Sequence, residues 1–312
     1  MSRLNASQLA AFTEIVRTGS FDGAARKLHV TSSAISQRVR QLEDGLGQVL
    51  IVRETPCRPT PAGQELLRHA LQVELLEKEL FGQMGLEADG DAPPVSLPVA
   101  VNADSLDGWF VDVVEAVCSG SRLVLDIRVE DQDHSAQMLR TGDVVAAIGA
   151  AASAPQGCSA EYIGSMRYMA LAAPAYCERY FSAGVNAGTL AAAPRLVYNH
   201  KDDMQDAFVE QVTGRQIDAP HHYVPSTPAY VQIACRGLGW GMIPQHLAAP
   251  HIAAGALVEL RPGAHCDVKL YFHRWQVQSR ALGFLTACVH TAARKHLAFL
   301  AEEAGAGAGR RS

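Results

Sequence analysis

Apolar residues recur at helical spacing over the first 84 positions and change to short runs separated by turns beyond position 94. Leu9, Phe12, Ile15 and Val16 share one face, which predicts a helix with Asn5 as N-cap, Gln8 in the reciprocal capping position and Thr18-Gly19-Ser20 as its end. Ala24, Ala25 and Leu28 give a short second helix a stripe of small residues. His29-Val30-Thr31 breaks it, and Thr31 is a good N-cap for a third helix in which Ile35, Val39 and Leu42 face a core. Leu46-Gly47 closes that helix. A beta-like run at 48–53 and the Pro-rich return from Glu54 to Pro61 predict a two-stranded wing. Thr60-Pro61 opens a long helix over 62–84 with a broad apolar face, including Leu66, Leu67, Leu71, Leu75, Leu76, Leu80, Phe81 and Met84. That surface is more than one-sided packing needs, which predicts pairing with a second copy. Burial within its own domain is the competing arrangement.

Gly85 to Pro94 is polar and rich in Gly and Pro, the clearest boundary in the chain. Beyond it strands and helices alternate. Strands are predicted at 95–101, 123–129, 144–148, 168–172, 195–198, 223–225, 240–243, 257–260 and 268–274. Helices are predicted at 104–117, 133–140, 175–181, 204–212, 228–236 and 279–300. The alternation predicts parallel sheets flanked by helices, with ligands at the carboxyl ends of strands. Three loops stand out there: Asn102-Ala103-Asp104-Ser105, Ile148-Gly149-Ala150 and Pro225-Ser226-Thr227-Pro228. The first and third open helices whose free N–H groups attract a carboxylate. The Ala/Gly-rich tail after Glu302 is expected to be disordered.

Charge sharpens this division. The whole chain of 312 residues carries −5, but residues 1–60 carry +3, residues 61–94 carry −5 and residues 95–312 carry −3. Phosphate attraction would therefore have to act at the N-terminal segment. The face of the third helix opposite its core stripe carries Ser32, Ser33, Ser36, Gln37, Arg38, Arg40 and Gln41, with no carboxylate before Glu43. Such side chains can bond base edges and phosphates, and the close crossing that the alanines permit lets the helix enter a major groove. A helical hairpin with a merely solvated polar face is the bland alternative; the acid-free N-terminal half of the helix favours DNA. Arg53 and Arg58 on the wing are placed to touch backbone phosphates, against a competing role in surface solubility.

Seven scattered cysteines show no zinc or redox spacing, which suits a reduced cytoplasm, and no apolar run reaches the form of a signal peptide or membrane span. No membrane partner is expected. No nucleophile elbow, phosphate loop or paired-histidine metal helix is present, so neither an enzyme nor a cofactor or metal is expected. The glycines at 237, 239 and 241 follow a helix and precede a strand, the reverse of a dinucleotide fingerprint.

The run from Ser20 to Glu43, with Gly47, the wing and Thr60-Pro61-Ala62-Gly63, resembles the DNA-binding domain of LysR-type transcriptional regulators. The segment from Ala234 to Pro244 resembles part of that family's effector domain. More narrowly, the run from Leu46 to Arg53, Arg58-Pro59-Thr60, the run from Gln72 to Glu77, the run from Ala100 to Leu106, Val129-Glu130-Asp131 and Asp202-Asp203-Met204 resemble the ArgP/LysG branch. The resemblance implies a winged helix-turn-helix, mainly α, over 1–60, a linker and dimerisation helix over 61–84, and a hinge over 85–94. An α/β, periplasmic-binding-protein-like effector domain follows over 95–300, with subdomain I at 95–165 and 268–300 and subdomain II at 166–267, before the tail at 301–312.

It further implies a sensor of lysine or arginine that controls a basic-amino-acid exporter gene. The implied partners are double-stranded operator DNA, a second copy or a tetramer, and RNA polymerase. On this basis Thr31, Ser32, Ser33, Ser36, Gln37, Arg38, Arg40, Arg53 and Arg58 are the expected DNA contacts. Asn102, Asp104, Ser105, Trp109, Gly149, Ser226 and Thr227 are the expected effector contacts, Trp109 lying one helical turn beyond Ser105 and offering an aromatic face to a cation. Asp104 has a competing role as a helix cap, as do Asp202 and Asp203. A DNA-architectural or replication-origin binder without effector response is the second functional reading, and an enzyme or solute-binding protein the third.

Overall fold

In the computed structural model, residues 4–84, 94–129 and 132–298 are described. Residues 85–93 of the hinge expected at 85–94, Glu130-Asp131, the first three residues and the expected tail lie outside them.

Three helices cross at small residues to build the N-terminal unit: α1 (Ala6–Thr18), α2 (Phe21–Lys27) and α3 (Ser32–Leu46). Their ends are set locally. Asn5, Ser20 and Thr31 side chains accept from the amides of Ser7, Gly23 and Ala34, and Gly19 and Gly47 take left-handed caps. His29, with φ 54°, turns the chain between α2 and α3. Gln8 does not complete a capping box; its amide reaches Gln41 on α3 instead. Phe12, Ile15, Ile35, Val39 and Leu42 close a core with Leu50, Ile51 and Leu67, each large side chain contributing about 1.5–3 kcal/mol by burial. The wing is an antiparallel pair, β1 (Ile51–Val52) and β2 (Arg58–Pro59). From it runs α4 (Pro61–Met84).

The second half begins with β3 (Val95–Val101), α5 (Ala103–Leu106), α6 (Phe110–Gly120), β4 (Leu123–Val129), α7 (Gln132–Thr141) and β5 (Ala146–Gly149). It continues through β6 (Cys158–Ala172), α8 (Pro174–Tyr180), α9 (Ala187–Ala192), β7 (Arg195–Val197), α10 (Met204–Thr213), β8 (His221–Tyr223) and α11 (Thr227–Cys235). It ends with β9 (Gly241–Pro244), α12 (Gln245–Ala253), β10 (Val258–Glu259), β11 (His265–Trp275) and α13 (Arg280–His296).

Parallel pairing holds for β3 with β4 and β5, and for β7 with β8. The sheet as a whole is mixed, because β6 and β11 run antiparallel to each other along its centre. At one end β11 pairs with β5; at the other β6 pairs with β9 and β10. These two long strands, expected as short ones at 168–172 and 268–274, therefore carry the chain from one subdomain to the other. Their register shifts between Leu270 and Tyr271, opposite Gly164, and Arg167 grips Asp267 through two hydrogen bonds of 2.8 and 2.9 Å near the start of β11. The helix expected over 104–117 is two helices. His246 of α12 occupies the space at the turn between them: a Cβ on Gly108 would lie 1.9 Å from its Nε2. Helix α13 stops at His296, and Ala298 bridges back to Ser165.

Candidate nucleic-acid interface and ligand cleft

Helix α3 presents Ser33, Gln37 and Arg40 to solvent and half-buries Ser36 and Arg38. Arg40 has no carboxylate partner among the described residues. Two of the expected contacts are engaged within the protein: the Thr31 hydroxyl caps α3 and meets Ser33 Oγ at 2.9 Å, and the Ser32 hydroxyl donates to Asp22 on α2. Asp22 thereby fixes the angle at which α3 leaves α2. On the wing, Arg53 lies over the Phe21 ring at 5.1 Å and Arg58 is exposed across from Val52. Exposed arginines are thus carried by both α3 and the wing.

A cleft of 730 Å³ opens where β6 and β11 pass between the subdomains, and its lining includes Asn102, Asp104, Tyr168, Lys201, Asp202 and Asp203. Asp104 is not the cap of α5. That position belongs to Asn102, whose side chain makes no capping bond and whose Oδ1 is buried without a partner among the described residues. The Asp104 carboxylate accepts from Tyr168 Oη at 2.6 Å and Thr227 Oγ1 at 2.8 Å. Burial, and then the Asp104 charge, hold the Tyr168 hydroxyl well above the ordinary tyrosine range, so it remains a donor. Asp104, on subdomain I, is therefore braced by hydroxyls from β6 and α11.

Asp202 serves its own loop: it accepts from the Tyr198 amide at 2.8 Å, from the Met204 amide and from Gln205 Nε2. Gln205 in turn donates to Tyr230, whose hydroxyl donates to the Leu196 carbonyl. Asp203 is exposed at the start of α10 and makes no side-chain cap.

Of the residues expected in the cleft, Asn102 and Asp104 line it, and Thr227 reaches it through Asp104. The remaining expectations are corrected. Trp109 is 1% exposed and packs in the core against Phe110, because the break at Gly108 turns it away from the cleft. Ser105 is wholly buried, and Gly149 lies in β5, with its neighbour Ala150 forming the wall instead. Ser226 is exposed at the start of α11, makes no side-chain cap and is outside the lining. Tyr168 and Lys201 were not foreseen; their place depends on strand pairings that no local pattern shows.

A winged helix-turn-helix joined by a long helix to a two-subdomain, cleft-bearing domain is the architecture of a ligand-responsive transcription regulator. The profile of the bacterial regulatory helix-turn-helix protein, lysR family, matches residues 6–64, and that of the LysR substrate binding domain matches residues 111–294. The chain belongs to the LysR family of transcriptional regulators and is not an enzyme. It is 42% identical to the HTH-type transcriptional regulator LysG of Mycobacterium tuberculosis (strain ATCC 25618 / H37Rv), over 93% of this chain and 94% of that protein. It is 39% identical to the HTH-type transcriptional regulator ArgP of Pseudomonas aeruginosa (strain UCBPP-PA14), over 89% of this chain and 92% of that protein. The full-length structure of LysG from Corynebacterium glutamicum with bound effector Arg superposes with a TM-score of 0.82 at 35% identity, covering 95% of this chain and all of that one. No helix among the described residues is long and apolar enough to cross a membrane.

Proposed function

We propose that this regulator senses a basic amino acid, lysine or arginine, and controls transcription of a gene for its export. The observation that carries the sensing is the charge of the cleft: Asp104, Asp202 and Asp203 against Lys201. A basic amino acid brings two cations and one carboxylate, the complement of that lining. Its α-ammonium is assigned to Asp104 and the unpaired Asn102 Oδ1, its carboxylate to Lys201, and its side-chain cation to the end of the cleft at Asp203. The arginine held by the Corynebacterium relative supports the same class. No cofactor or metal enters this scheme.

The output is operator DNA, with α3 in the major groove through Ser33, Ser36, Gln37, Arg38 and Arg40, and with Arg53 and Arg58 on phosphates. Thr31 and Ser32 act by fixing the helix. On α4, Leu76, Leu80, Phe81 and Met84 are exposed, and a second copy would cover them, giving a dimer or dimer of dimers matched to two half-sites. RNA polymerase is a further partner at the promoter, and the seven free cysteines suit the cytoplasm.

The test is binding to DNA upstream of the protein's own or neighbouring gene, with and without lysine, arginine or histidine. The expected result is a changed affinity or footprint with lysine or arginine; no change with any of them would leave a DNA-architectural role. A narrower prediction concerns Arg40→Ala. It should weaken binding to all sequences alike and lower the slope of log K against log salt by about 0.9 for each phosphate the arginine neutralised. An unchanged slope would place Arg40 away from phosphate.

A further inference from the structure

Helix α4 divides its surface among three neighbours. Toward the N-terminal unit it turns Leu66, Leu67 and Glu74, the last paired with Arg17 at 2.7 Å. Leu76, Leu80 and Met84 are left exposed. The stripe formed by Arg68, Leu71, Leu75 and Glu79, at helical spacing, meets the effector domain. Arg68 donates to the Gln156 carbonyl at 2.8 Å, Leu71 fills the space over Gly142, and Leu75 joins the main effector core.

The last member of this stripe makes the most directed contact. The Glu79 carboxylate receives the Ser279 hydroxyl and the Ala281 amide on Oε1, at 2.5 and 3.0 Å, and the Arg280 amide on Oε2 at 3.1 Å. These are the opening groups of α13, 200 residues or more away in sequence. Ser279 already caps α13 from within by accepting from the Leu282 amide. Glu79 adds a second cap from another domain, setting a negative charge where the first turn has amides to donate and the helix dipole is positive. The apolar members of the stripe tolerate sliding; three convergent hydrogen bonds on one carboxylate do not.

We propose that Glu79 is a positioning residue for operator recognition, the pin that fixes the attitude of the effector domain on the linker helix and so the spacing of the paired DNA-reading units. The spacing part rests on the pairing of two copies through α4 proposed above. Without Glu79, this stripe's contacts to the effector domain among the described residues end at Leu75, one turn earlier.

The experiment uses the full-length protein without ligand, as wild type, Glu79→Ala and Glu79→Gln. Three readouts are taken: amide exchange at Arg280 and Ala281, small-angle scattering, and the footprint and bend on the protein's own upstream DNA. Glu79→Ala should speed exchange at those two amides by about tenfold, broaden the scattering profile and alter the footprint. Arginine affinity, read by calorimetry, should stay within about twofold, because the cleft lies on other elements. Glu79→Gln keeps the Oε1 acceptor and should fall between. Faster exchange with unchanged footprint and scattering would reduce Glu79 to a local cap and overturn the proposal; unchanged exchange would overturn it outright. If the wild type sediments as a monomer, the pairing through α4 fails and the spacing claim with it, while exchange and scattering still decide whether Glu79 pins the domain.

Discussion

Replacing Asp104 by alanine is expected to lower affinity for lysine or arginine by roughly a hundredfold, about 3 kcal/mol, and to leave operator affinity without ligand unchanged. Two effects add. The ligand's ammonium loses its ionic partner, and the hydroxyls of Tyr168 and Thr227 lose the acceptor that aligned them. Tyr168 is 5% exposed, so its hydroxyl has little access to replacement water. Asp104→Asn separates the effects: one acceptor oxygen and the shape survive, the charge does not. It should recover part of the brace yet remain well short of wild-type affinity. The DNA-reading core is a separate cluster of α1 to α4 and the wing, which is why operator binding should persist. Calorimetric titration alongside a gel-shift assay measures both. Undiminished ligand affinity in the alanine variant would make Asp104 a brace between subdomains and nothing more.

How much of this was legible in the sequence depends on how far apart the cooperating residues lie. Asn5, Gly19, Ser20, Thr31 and Gly47 each act on groups a few positions away, so the helix-turn-helix could be read residue by residue. The strand β6 could not: its middle, from Ile163 to Met166, is buried at successive positions, which erases the alternation that marks a strand exposed on one face. Helix α12 carries Pro250 inside it, and α9 is made of small residues with Leu190 as its one large apolar side chain, so neither shows a clear helical stripe. Placing Trp109 in the cleft assumed one continuous helix from Asp104. At the break, Gly108 leaves no room for a side chain because His246, from the far subdomain, fills the space, and nothing near Gly108 in sequence announces that. The same holds for Asp104 itself. Its loop was identifiable as a strand-to-helix switch, but its partners lie 64 and 123 residues away.

Gly63→Ala is expected to destabilise the N-terminal unit by about 2 kcal/mol, although alanine is ordinarily the better helix former. In an open helix the change would favour folding by about 1 kcal/mol. At this position a Cβ would lie 2.1 Å from the Leu50 carbonyl oxygen and 3.1 Å from Pro59 Cβ, and a backbone oxygen cannot rotate aside as a side chain can. Relieving the overlap must push the first turn of α4 off the wing, with overpacking costs of about 3 kcal/mol. The push also strains the Thr60 hydroxyl, which donates to the Val49 carbonyl at 2.8 Å and accepts from the Gly63 amide at 3.1 Å. For a unit of this size the melting temperature should fall by roughly 8–16 °C, with operator affinity falling too, because the wing and α3 are held through the same junction. Gly47→Ala provides the contrast. Gly47 has φ 66° but nothing within 4 Å of a Cβ, so its penalty is the backbone conformation alone, about 1 kcal/mol. If the two variants melt together, the close approach of α4 to the wing is not what fixes the DNA-reading unit; if Gly63→Ala melts well below Gly47→Ala, steric overlap outweighs conformation at the point where the wing meets the linker helix.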